Sequence, residues 1–451
     1  MKLPRSLLLA IPSVPSRPPT RACGRPPTAR RSLFRGGKLG RAAALPLTVV
    51  CLLGNGVQAQ TSPYFIGLSQ TLSYDSNLLG LGREEAVPEG FSKSDSSSTT
   101  TLLAGFNQGI GRQRVFGNVS LRDTRYDRNE IFDNQGYSLR SGLDWSTVER
   151  LSGSVNFSAN RSLQRFSSAE IGFLREKNLE TVRTLSTRFN LGLVTEYSLE
   201  VSGARTEVRN SLQQPGVQAR EFTQDNASAG LRWRPSSLTS LGLSVGSTRG
   251  LYPKFRSTPN GFQADRFERK DFEISANRRF SGASSVDLRL ANSKTVYDLN
   301  AQRNFEGLTG SLSWTWQPTS KLVFVSSVTR DTGQESYATA IFTLPAIADY
   351  SRANTAMRIG ADYNFSAKVS FTSSLVYYRS SIVRTIDNPF LPLEAEGRDK
   401  VMQLTLGARW APVRSASLGC DFSSQDRRGE GQLVVSLRGT TVSCFGQLTL
   451  Q

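Results

Sequence analysis

Histidine is absent from the 451-residue chain, and cysteine is scarce, with four residues in total. Without histidine, no Ser-His or Cys-His nucleophilic pair and no His-ligated metal site can form. Two cysteines lie in the first 59 residues, and the other two, Cys420 and Cys444, are too few for a structural zinc site. No spacing of carboxylates selects a hydrolytic pair. These absences predict a protein that is not an enzyme and has no catalytic residue, cofactor or metal.

Acidic residues are absent from the first 59 positions, which contain ten basic residues and eight of the 19 prolines. An apolar run of thirteen residues, Ala42–Gly54, follows the basic region, and Val57-Gln58-Ala59 offers the small residues that a signal peptidase requires. The run is too short to cross a bilayer as a helix. We therefore expect residues 1–59 to be a cleaved signal peptide with a long basic n-region, and residues 60–451 to form the mature domain.

Long hydrophobic runs and a strong charge excess are both missing from the mature part. The formal net charge of +18 falls to +8 without the first 59 residues, because 45 basic residues then face 37 acidic ones. This balance predicts no nucleic-acid partner. No apolar run is long enough for a transmembrane helix. Serine, glycine, threonine and asparagine are abundant between short apolar positions, which indicates an all-β protein.

Apolar and polar residues alternate from the start of the mature chain, beginning with Tyr64, Ile66 and Leu68. Successive side chains of a strand point to opposite faces, so each such segment is a strand with one apolar and one polar face. Tight turns and long polar loops alternate between the segments, as the periplasmic turns and extracellular loops of outer-membrane barrels do. A soluble sandwich would rarely keep one register over so many strands. The pattern predicts a transmembrane antiparallel up-and-down β-barrel of about 18 strands in the outer membrane of a Gram-negative bacterium. Sixteen strands are the alternative, because the Glu221–Trp233 and Leu322–Val328 segments are weakly patterned.

The long loops are expected on the extracellular side, at about residues 75–98, 127–135, 160–178, 207–220, 248–268, 295–304, 331–351, 379–398 and 424–437.

All five tryptophans lie at the last apolar positions of a strand pattern, directly before a tight turn: Trp145, Trp233, Trp314, Trp316 and Trp410. The indole ring is apolar but its N–H requires a polar partner, so tryptophan is enriched at the membrane interface. Three of them open a Trp-x-Pro tripeptide, and we expect the proline to stop the strand. Core tryptophans of a soluble protein are the alternative. Their shared place before short turns predicts a periplasmic interface girdle.

Charged residues lie on the faces opposite the apolar ones, where a barrel has its lumen. The candidate lumen-lining residues are Arg122, Arg140, Arg188, Arg232, Arg234, Arg289, Arg358, Arg409, Asp144, Asp287 and Asp362, with Arg279, Glu200, Asp271, Glu273 and Asp421 on the same faces. The mixture of signs is compatible with cross-strand pairs that line a hydrated wall. It is also compatible with a weakly basic path for acidic or neutral solutes.

Cys420 and Cys444 share one face of the last two strands, with the intervening loop centred near residue 432. If the hairpin folds back at that centre, the two cysteines are cross-strand neighbours. An oxidising compartment would allow them to form a disulfide. Such a bridge would lock the terminal hairpin beside the closure with the first strand.

Arginine lies beside aromatic residues in the loop expected at 248–268, notably in Tyr252-Pro253-Lys254-Phe255-Arg256 and around Phe262. Aromatic faces with neighbouring donors, above all Phe255 and Phe262, could hold sugar rings. The alternative is an aromatic belt with basic residues that face lipopolysaccharide phosphates.

Both ends of the mature chain resemble a known family. The entry strand with its exit, Tyr64-Phe65-Ile66-Gly67 to Tyr74-Asp75-Ser76-Asn77-Leu78-Leu79, and the terminus Cys444-Phe445-Gly446-Gln447-Leu448-Thr449-Leu450-Gln451 are similar to the EpsL-type outer-membrane barrels of exopolysaccharide biosynthesis loci. This resemblance implies an outer-membrane location and a role in making or exporting exopolysaccharide. It supplies no catalytic residue.

These observations predict a barrel that guides or passes a glycan through a polar lumen without chemistry. The expected partners are outer-membrane lipid and lipopolysaccharide, the extracellular polysaccharide, and periplasmic polysaccharide-assembly proteins. A general or small-solute porin is the first alternative. A structural or adhesive barrel with a plugged lumen is the second.

Overall fold

The computed structural model describes residues 62–148, 150–164, 175–192, 196–299, 301–332, 351–386, 393–431 and 435–451. The expected signal peptide, with its cleavage after Ala59, lies outside the described residues. The loops expected at 160–178 and 331–351 lie mostly outside them as well.

Eighteen strands form one antiparallel sheet, in which each strand pairs with the next in sequence and the first pairs with the last. The sheet is therefore a closed barrel. The prediction of 18 strands is confirmed, and the two weakly patterned segments are β8 and β13. The strands are β1 Tyr64–Asp75, β2 Asp95–Ile110, β3 Gln113–Tyr126, β4 Asn134–Ser146, β5 Leu151–Gln164, β6 Asn178–Leu191, β7 Tyr197–Asn210, β8 Phe222–Ser236, β9 Thr239–Thr258, β10 Gly261–Ser281, β11 Ser284–Tyr297, β12 Phe305–Thr319, β13 Leu322–Asp331, β14 Ser351–Tyr363, β15 Val369–Ile386, β16 Leu393–Val413, β17 Ala416–Gly431 and β18 Leu437–Leu450.

The described helices are short and lie in loops: the 3₁₀ turns η1 (Glu130–Phe132) and η2 (Ala301–Arg303), and the helix α1 (Pro215–Gln218). Among the described residues, no helix is long and apolar enough to cross a membrane.

The strand register places the exposed apolar residues of neighbouring strands on one side of the sheet. Leu68 pairs with Leu102 on β2 and with Leu448 on β18, and all three side chains are exposed. Directly paired residues share a face, so this apolar face continues around the barrel exterior. An exterior of exposed leucine, isoleucine, valine and aromatic side chains is unfavourable in water and favourable in a bilayer. A closed barrel can cross a bilayer because it leaves no strand edge unpaired. The chain is therefore built as a transmembrane β-barrel, the architecture of the outer membrane of a Gram-negative bacterium.

The three Trp-x-Pro tripeptides form the same local structure, and the expectation that proline ends the strand is wrong by one residue in each case. Strands β8, β12 and β16 continue past the proline to Ser236, Thr319 and Val413. In each strand the register shifts directly after the tryptophan, which marks a β-bulge. The residue between tryptophan and proline donates its backbone N–H to the residue before the preceding strand, at 2.7–2.8 Å. A bulge tolerates proline because one residue there lies outside the regular ladder.

Several extracellular loops are shorter than the sequence predicts. Strands β9 and β10 run through the segment expected as a loop at 248–268 and leave only residues 259–260 between them. Strands β15 and β16 likewise extend into the segment expected as a loop at 379–398, to Ile386 and from Leu393, and β17 extends to Gly431 in the segment expected as a loop at 424–437. Beyond the apolar belt the outward face becomes polar while the inward face carries aromatic residues, so the apolar-out, polar-in alternation that identifies a strand disappears there although the backbone pairing continues.

Aromatic rings lie over glycines on neighbouring strands. A Cβ atom at Gly250 would lie 2.0 Å from the ring of Phe267, its direct cross-strand partner, and one at Gly105 would lie 2.4 Å from Phe65. The absence of a glycine side chain leaves the space that the ring fills, so each pair packs tightly. Four other cross-strand pairs show the same arrangement: Phe106 with Gly117, Phe116 with Gly142, Trp145 with Gly153, and Phe445 with Gly419.

Candidate functional site: the polar lumen

The inward face of the barrel is the candidate site, and the register shows which predicted residues lie on it. Arg122 and Arg140, for example, each follow an outward residue, Leu121 and Leu139, and therefore point inward. Arg234 is different because it lies in the bulge after Trp233, where alternation is interrupted. The inward set is Arg122, Arg140, Arg188, Arg232, Arg289, Arg358, Arg409, Asp144, Asp287 and Asp362, together with Arg279, Glu200, Asp271, Glu273 and Asp421.

Opposite charges pair across strands in the periplasmic half of the lumen. Glu200 on β7 accepts from Arg188 Nε at 3.0 Å and from an Arg232 guanidinium nitrogen at 2.9 Å, so one carboxylate links β6, β7 and β8. On the neighbouring wall, Arg289 pairs with Glu273 across β11 and β10. Such pairs neutralise each other locally, and the wall presents a small net field to a passing solute.

A second group of charged lumen residues faces neutral polar partners. Arg122 donates to Asn160 Oδ1 at 3.1 Å, and Arg409 donates to Ser417 Oγ at 3.4 Å. Two more occupy positions opposite serines: Arg140 opposite Ser158, and Arg358 opposite Ser327. Asp362 and Asp421 lie opposite Thr372 and Ser443. These side chains, with the hydroxyls and amides beside them, form a wall of hydrogen-bonding groups.

The inward face changes character at the extracellular mouth over β6–β11. Val208, Phe222, Tyr252, Phe267 and Tyr297 form one buried cluster on five adjacent strands, β7–β11. Ring centroids in it lie 5.3–6.1 Å apart between adjacent members. At these separations the rings are in contact and contribute beyond their buried area.

The turn η2 lies inside the mouth and covers part of this cluster. It contacts β11, which precedes it, and also β15, four strands away. The Arg303 guanidinium carbon lies 4.5 Å from the Tyr297 ring centroid and 5.3 Å from that of Tyr252. The backbone N–H of Leu299 donates to the buried carboxylate of Asp265 at 2.9 Å. The segment between β11 and β12 is therefore anchored against the inner wall.

Arg269 is a lumen residue of β10 that is not among the candidates predicted from the sequence. Its guanidinium group is 2% exposed and pairs with Asp271 at 2.8 Å, then donates to Thr332 Oγ1 at 2.7 Å and to Ser293 Oγ at 2.9 Å. These partners extend along the inner wall from β10 through β11 to the end of β13. Continuing the alternation two residues beyond Asp271 would have identified Arg269 from sequence.

The opposite wall of the mouth also has a buried charge pair, Arg427 Nε to Asp399 at 3.1 Å, with side chains 5% and 0% exposed. Asp399 lies opposite Ser380, which lies opposite Asn354 on β14. Both polar atoms of the Asn354 amide are buried, as is the Ser380 side chain. The mouth is therefore polar on the β14–β17 side and aromatic on the β6–β11 side.

The end of the first segment that resembles EpsL-type barrels, residues 76–79, lies in the first extracellular loop. Asn77 Nδ2 donates to the backbone carbonyls of Leu81 and Arg438, at 2.9 and 3.2 Å, and Asn77 Oδ1 accepts from the Leu81 N–H at 3.0 Å. Leu78 and Leu79 are buried in a cluster with Phe132 of η1. These contacts fasten the first loop to β18 beside the barrel closure.

The five tryptophans face outward at the ends of strands that lead into short turns. Trp233 Nε1 donates to Glu196 at 2.8 Å, and Trp314 Nε1 donates to Ser284 Oγ at 3.0 Å. Trp314 and Trp316 stack with centroids 5.8 Å apart, and Trp145 packs against Phe189 at 6.0 Å. Trp410 is half exposed beside Leu418. An apolar ring with its N–H on a polar group suits the membrane interface.

Cys420 and Cys444 are direct cross-strand partners on β17 and β18 and are joined by a disulfide, with Cα atoms 4.0 Å apart. Their face is the outward one, and Cys444 also pairs with Leu72 of β1 across the closure. The bridge therefore lies on the exterior next to the seam where the barrel closes.

The aromatic residues considered for sugar binding are divided between two environments. Tyr252 and Phe267 are buried, and Phe255 packs against the same cluster. Phe262 is 44% exposed, with Lys254 Nζ 5.9 Å from its ring centroid. Of the two residues singled out, only Phe262 is exposed.

No protein-family model matches the chain, and no curated protein matches it in sequence. Solved structures to which it is similar include the FrpB iron transporter of Neisseria meningitidis (apoprotein form, 11% identity, 81% of this chain and 62% of that one, TM-score 0.46). They also include OccK3 (OpdO) of Pseudomonas aeruginosa (12% identity, 86% and 95%, TM-score 0.44) and the siderophore receptor PirA of Acinetobacter baumannii (7% identity, 87% and 81%, TM-score 0.43). The chain spans 62% of the length of the FrpB structure.

Proposed function

We propose that this outer-membrane barrel passes or guides an extracellular polysaccharide through its polar lumen during exopolysaccharide export. The observation that carries the proposal is the chemistry of the inner wall. Its charges pair with one another or face hydroxyl and amide groups, as the Arg188–Glu200–Arg232 link shows. A chain of hydroxyl groups can exchange hydrogen bonds along such a wall without one tight site that would halt it. The resemblance of both chain ends to EpsL-type barrels supports the same substrate class.

A clean deletion strain tests the proposal. Polysaccharide is measured outside the cell and in the periplasm, with and without complementation by the intact gene. Loss outside together with accumulation inside supports export through this barrel. Unchanged polysaccharide in both compartments would contradict it.

A lumen-blocking variant separates passage through the barrel from an indirect effect of deletion. Ser228 on β8 points inward, where its hydroxyl lies 2.7 Å from that of Ser202, and Ala229 beside it points outward. Cells that carry Ser228→Cys, but not those that carry Ala229→Cys, should lose export after labelling with a bulky hydrophilic maleimide. The native Cys420–Cys444 pair is not expected to react because it is disulfide-bonded.

The second candidate function is that of a small-solute porin, and η2 is the observation that favours it. A turn anchored by Arg303 inside the mouth narrows the opening, and a narrow opening suits small solutes better than a polymer. Planar-bilayer conductance and uptake of small solutes test this function. Normal polysaccharide with altered uptake in the deletion strain would establish it in place of export.

A further inference from the structure

Two rows of outward charged residues lie on opposite sides of the barrel, and they differ in the signs of the charges that lie directly opposite one another. On β7–β10, Arg205, Asp225, Arg249 and Glu268 are consecutive cross-strand partners, so the signs alternate; we name these four the alternating row. Its ion pairs measure 3.5 Å for Arg205 with Asp225 and 3.7 Å for Arg249 with Glu268.

On β15–β17 the corresponding partners have the same sign. Arg379 lies directly opposite Lys400, and Lys400 lies directly opposite Arg428; we name these three the basic row. Like charges directly opposite on neighbouring strands destabilise a sheet. Arg398, two residues from Lys400 on β16, faces the same side and adds a fourth cation.

Two carboxylates on β17 are too few to neutralise these cations. Glu430 accepts from Lys400 Nζ at 2.8 Å and lies directly opposite Arg398. Asp426 lies 3.6 Å from Arg428 but is already paired with Arg83 of the first loop at 3.0 Å. Among the described side chains of the patch, positive charge is in excess.

The basic row lies at the upper edge of the apolar belt. Arg379 and Lys400 each lie two residues beyond an exposed apolar side chain, Tyr377 and Met402, on the same face. Two strand residues span about 6.6 Å, which is the step from acyl chains to headgroups. Arg428 is 76% exposed and Lys400 39%, so the cations are accessible from the surroundings of the barrel.

We propose that the basic row, with Arg398, binds the phosphate groups of a glycolipid headgroup in the outer leaflet. Phosphate is the anion expected at this level of an outer membrane, and guanidinium groups bind it through paired hydrogen bonds. The bound phosphates relieve the repulsion between the three directly opposed cations. The alternating row needs no such ligand because its charges satisfy one another. This assignment does not depend on what passes through the lumen.

The test uses the full barrel, extracted from outer membranes in mild detergent and stripped of bound lipid. Native mass spectrometry counts bound lipid A during a titration with three probes: diphosphorylated lipid A, the same lipid without phosphates, and inorganic phosphate as competitor. The variant replaces the basic row by Arg379→Gln, Lys400→Gln and Arg428→Gln. The matched control removes three outward cations on the other side: Arg205→Gln and Arg249→Gln in the alternating row, and Arg183→Gln on β6, whose side chain pairs with Glu207 of β7 at 3.8 Å.

The basic-row variant should bind diphosphorylated lipid A on the order of 100-fold more weakly, since each cation near the surface contributes about fivefold. The control should stay within about threefold of the wild type. Phosphate-free lipid A should bind the wild type and the variant equally weakly. High salt should reduce the difference between the two proteins.

Equal losses in both variants, or no loss in either, would overturn the proposal, as would tight binding of phosphate-free lipid. Displacement of the lipid by millimolar inorganic phosphate would assign the row to free phosphate instead. Heat-modifiable migration in gels shows whether the triple variant is folded. If it is not, the single change Lys400→Gln replaces it, with an expected loss of about fivefold.

Discussion

The two ends of the inner wall over β6–β11 share the same strands and the same alternation, yet they are built differently. Near the periplasm Arg188, Glu200 and Arg289 form pairs that water reaches. Near the extracellular mouth Phe267 and Arg269 are buried, Phe267 in the aromatic cluster and Arg269 among its polar partners on the inner wall. The alternation decides which face a side chain takes, while the loops above decide whether that face is wet. The same residue type therefore has different energetic roles at the two levels.

The largest expected effect comes from comparing an arginine at each level. Arg269→Met should destabilise the barrel by about 3–5 kcal/mol, because it leaves the carboxylate of Asp271 without its buried partner. Arg289→Met should cost no more than about 1 kcal/mol, because the Arg289 side chain is 54% exposed and its pair with Glu273 is screened. Urea unfolding in lipid vesicles, followed by tryptophan fluorescence, measures both free energies. Equal costs would show that the mouth is as hydrated as the lower lumen.

The next comparison uses two glycines on the inward face of β9. Gly250→Ala places a methyl group against the Phe267 ring, which the buried cluster holds, and should cost about 1–3 kcal/mol. Gly246→Ala meets no atom closer than the Asp271 Cβ at 3.7 Å, so it should stay within about 0.5 kcal/mol of the wild type or be slightly stabilising. The same unfolding assay applies. A harmless Gly250→Ala would mean that the Phe267 ring can move and that the mouth is loosely packed.

The sequence predicts the strand count and the inward face because both follow from alternation, which the apolar belt requires of every spanning strand. It mispredicts the segment from Thr248 to Glu268, where the belt has ended and nothing forces the pattern to continue. The Trp-x-Pro tripeptides show a finer limit. The position of each tryptophan follows from interface chemistry, but the bulge that contains Pro235, Pro318 or Pro412 depends on pairing with the next strand, which no local pattern encodes. The sequence does not predict the burial of Arg269 and Arg303, because that burial depends on how distant loop segments pack inside the barrel.

A smaller effect is expected where η2 meets the aromatic end of the wall. Arg303→Ala removes the stacking on Tyr297 and Tyr252, and the amides of Leu299 and Asn304 should exchange hydrogen about tenfold faster. The control is Arg266→Ala, on the outward face of the neighbouring strand β10, which should leave these amides unchanged. Hydrogen exchange with mass spectrometry, resolved over residues 296–305, gives the readout. Unchanged protection after Arg303→Ala would mean that hydrogen bonds from backbone N–H groups hold the segment without Arg303. The bond from the Leu299 N–H to the Asp265 carboxylate is one of these.

The smallest effect concerns the hydrated end of the same wall. Glu200→Gln removes the carboxylate that Arg188 and Arg232 share. The two arginines are then no longer neutralised by it, so the barrel should become more permeable to anions. Because the site is wet and screened, the reversal potential in a tenfold salt gradient should move by on the order of a few millivolts toward anion selectivity. Glu207→Gln, on the outward face of the same strand, removes an equal charge from the exterior and should leave the potential unchanged. If the two variants shifted the potential equally, the effect would come from net charge, and the paired charges would not set the field inside the lumen.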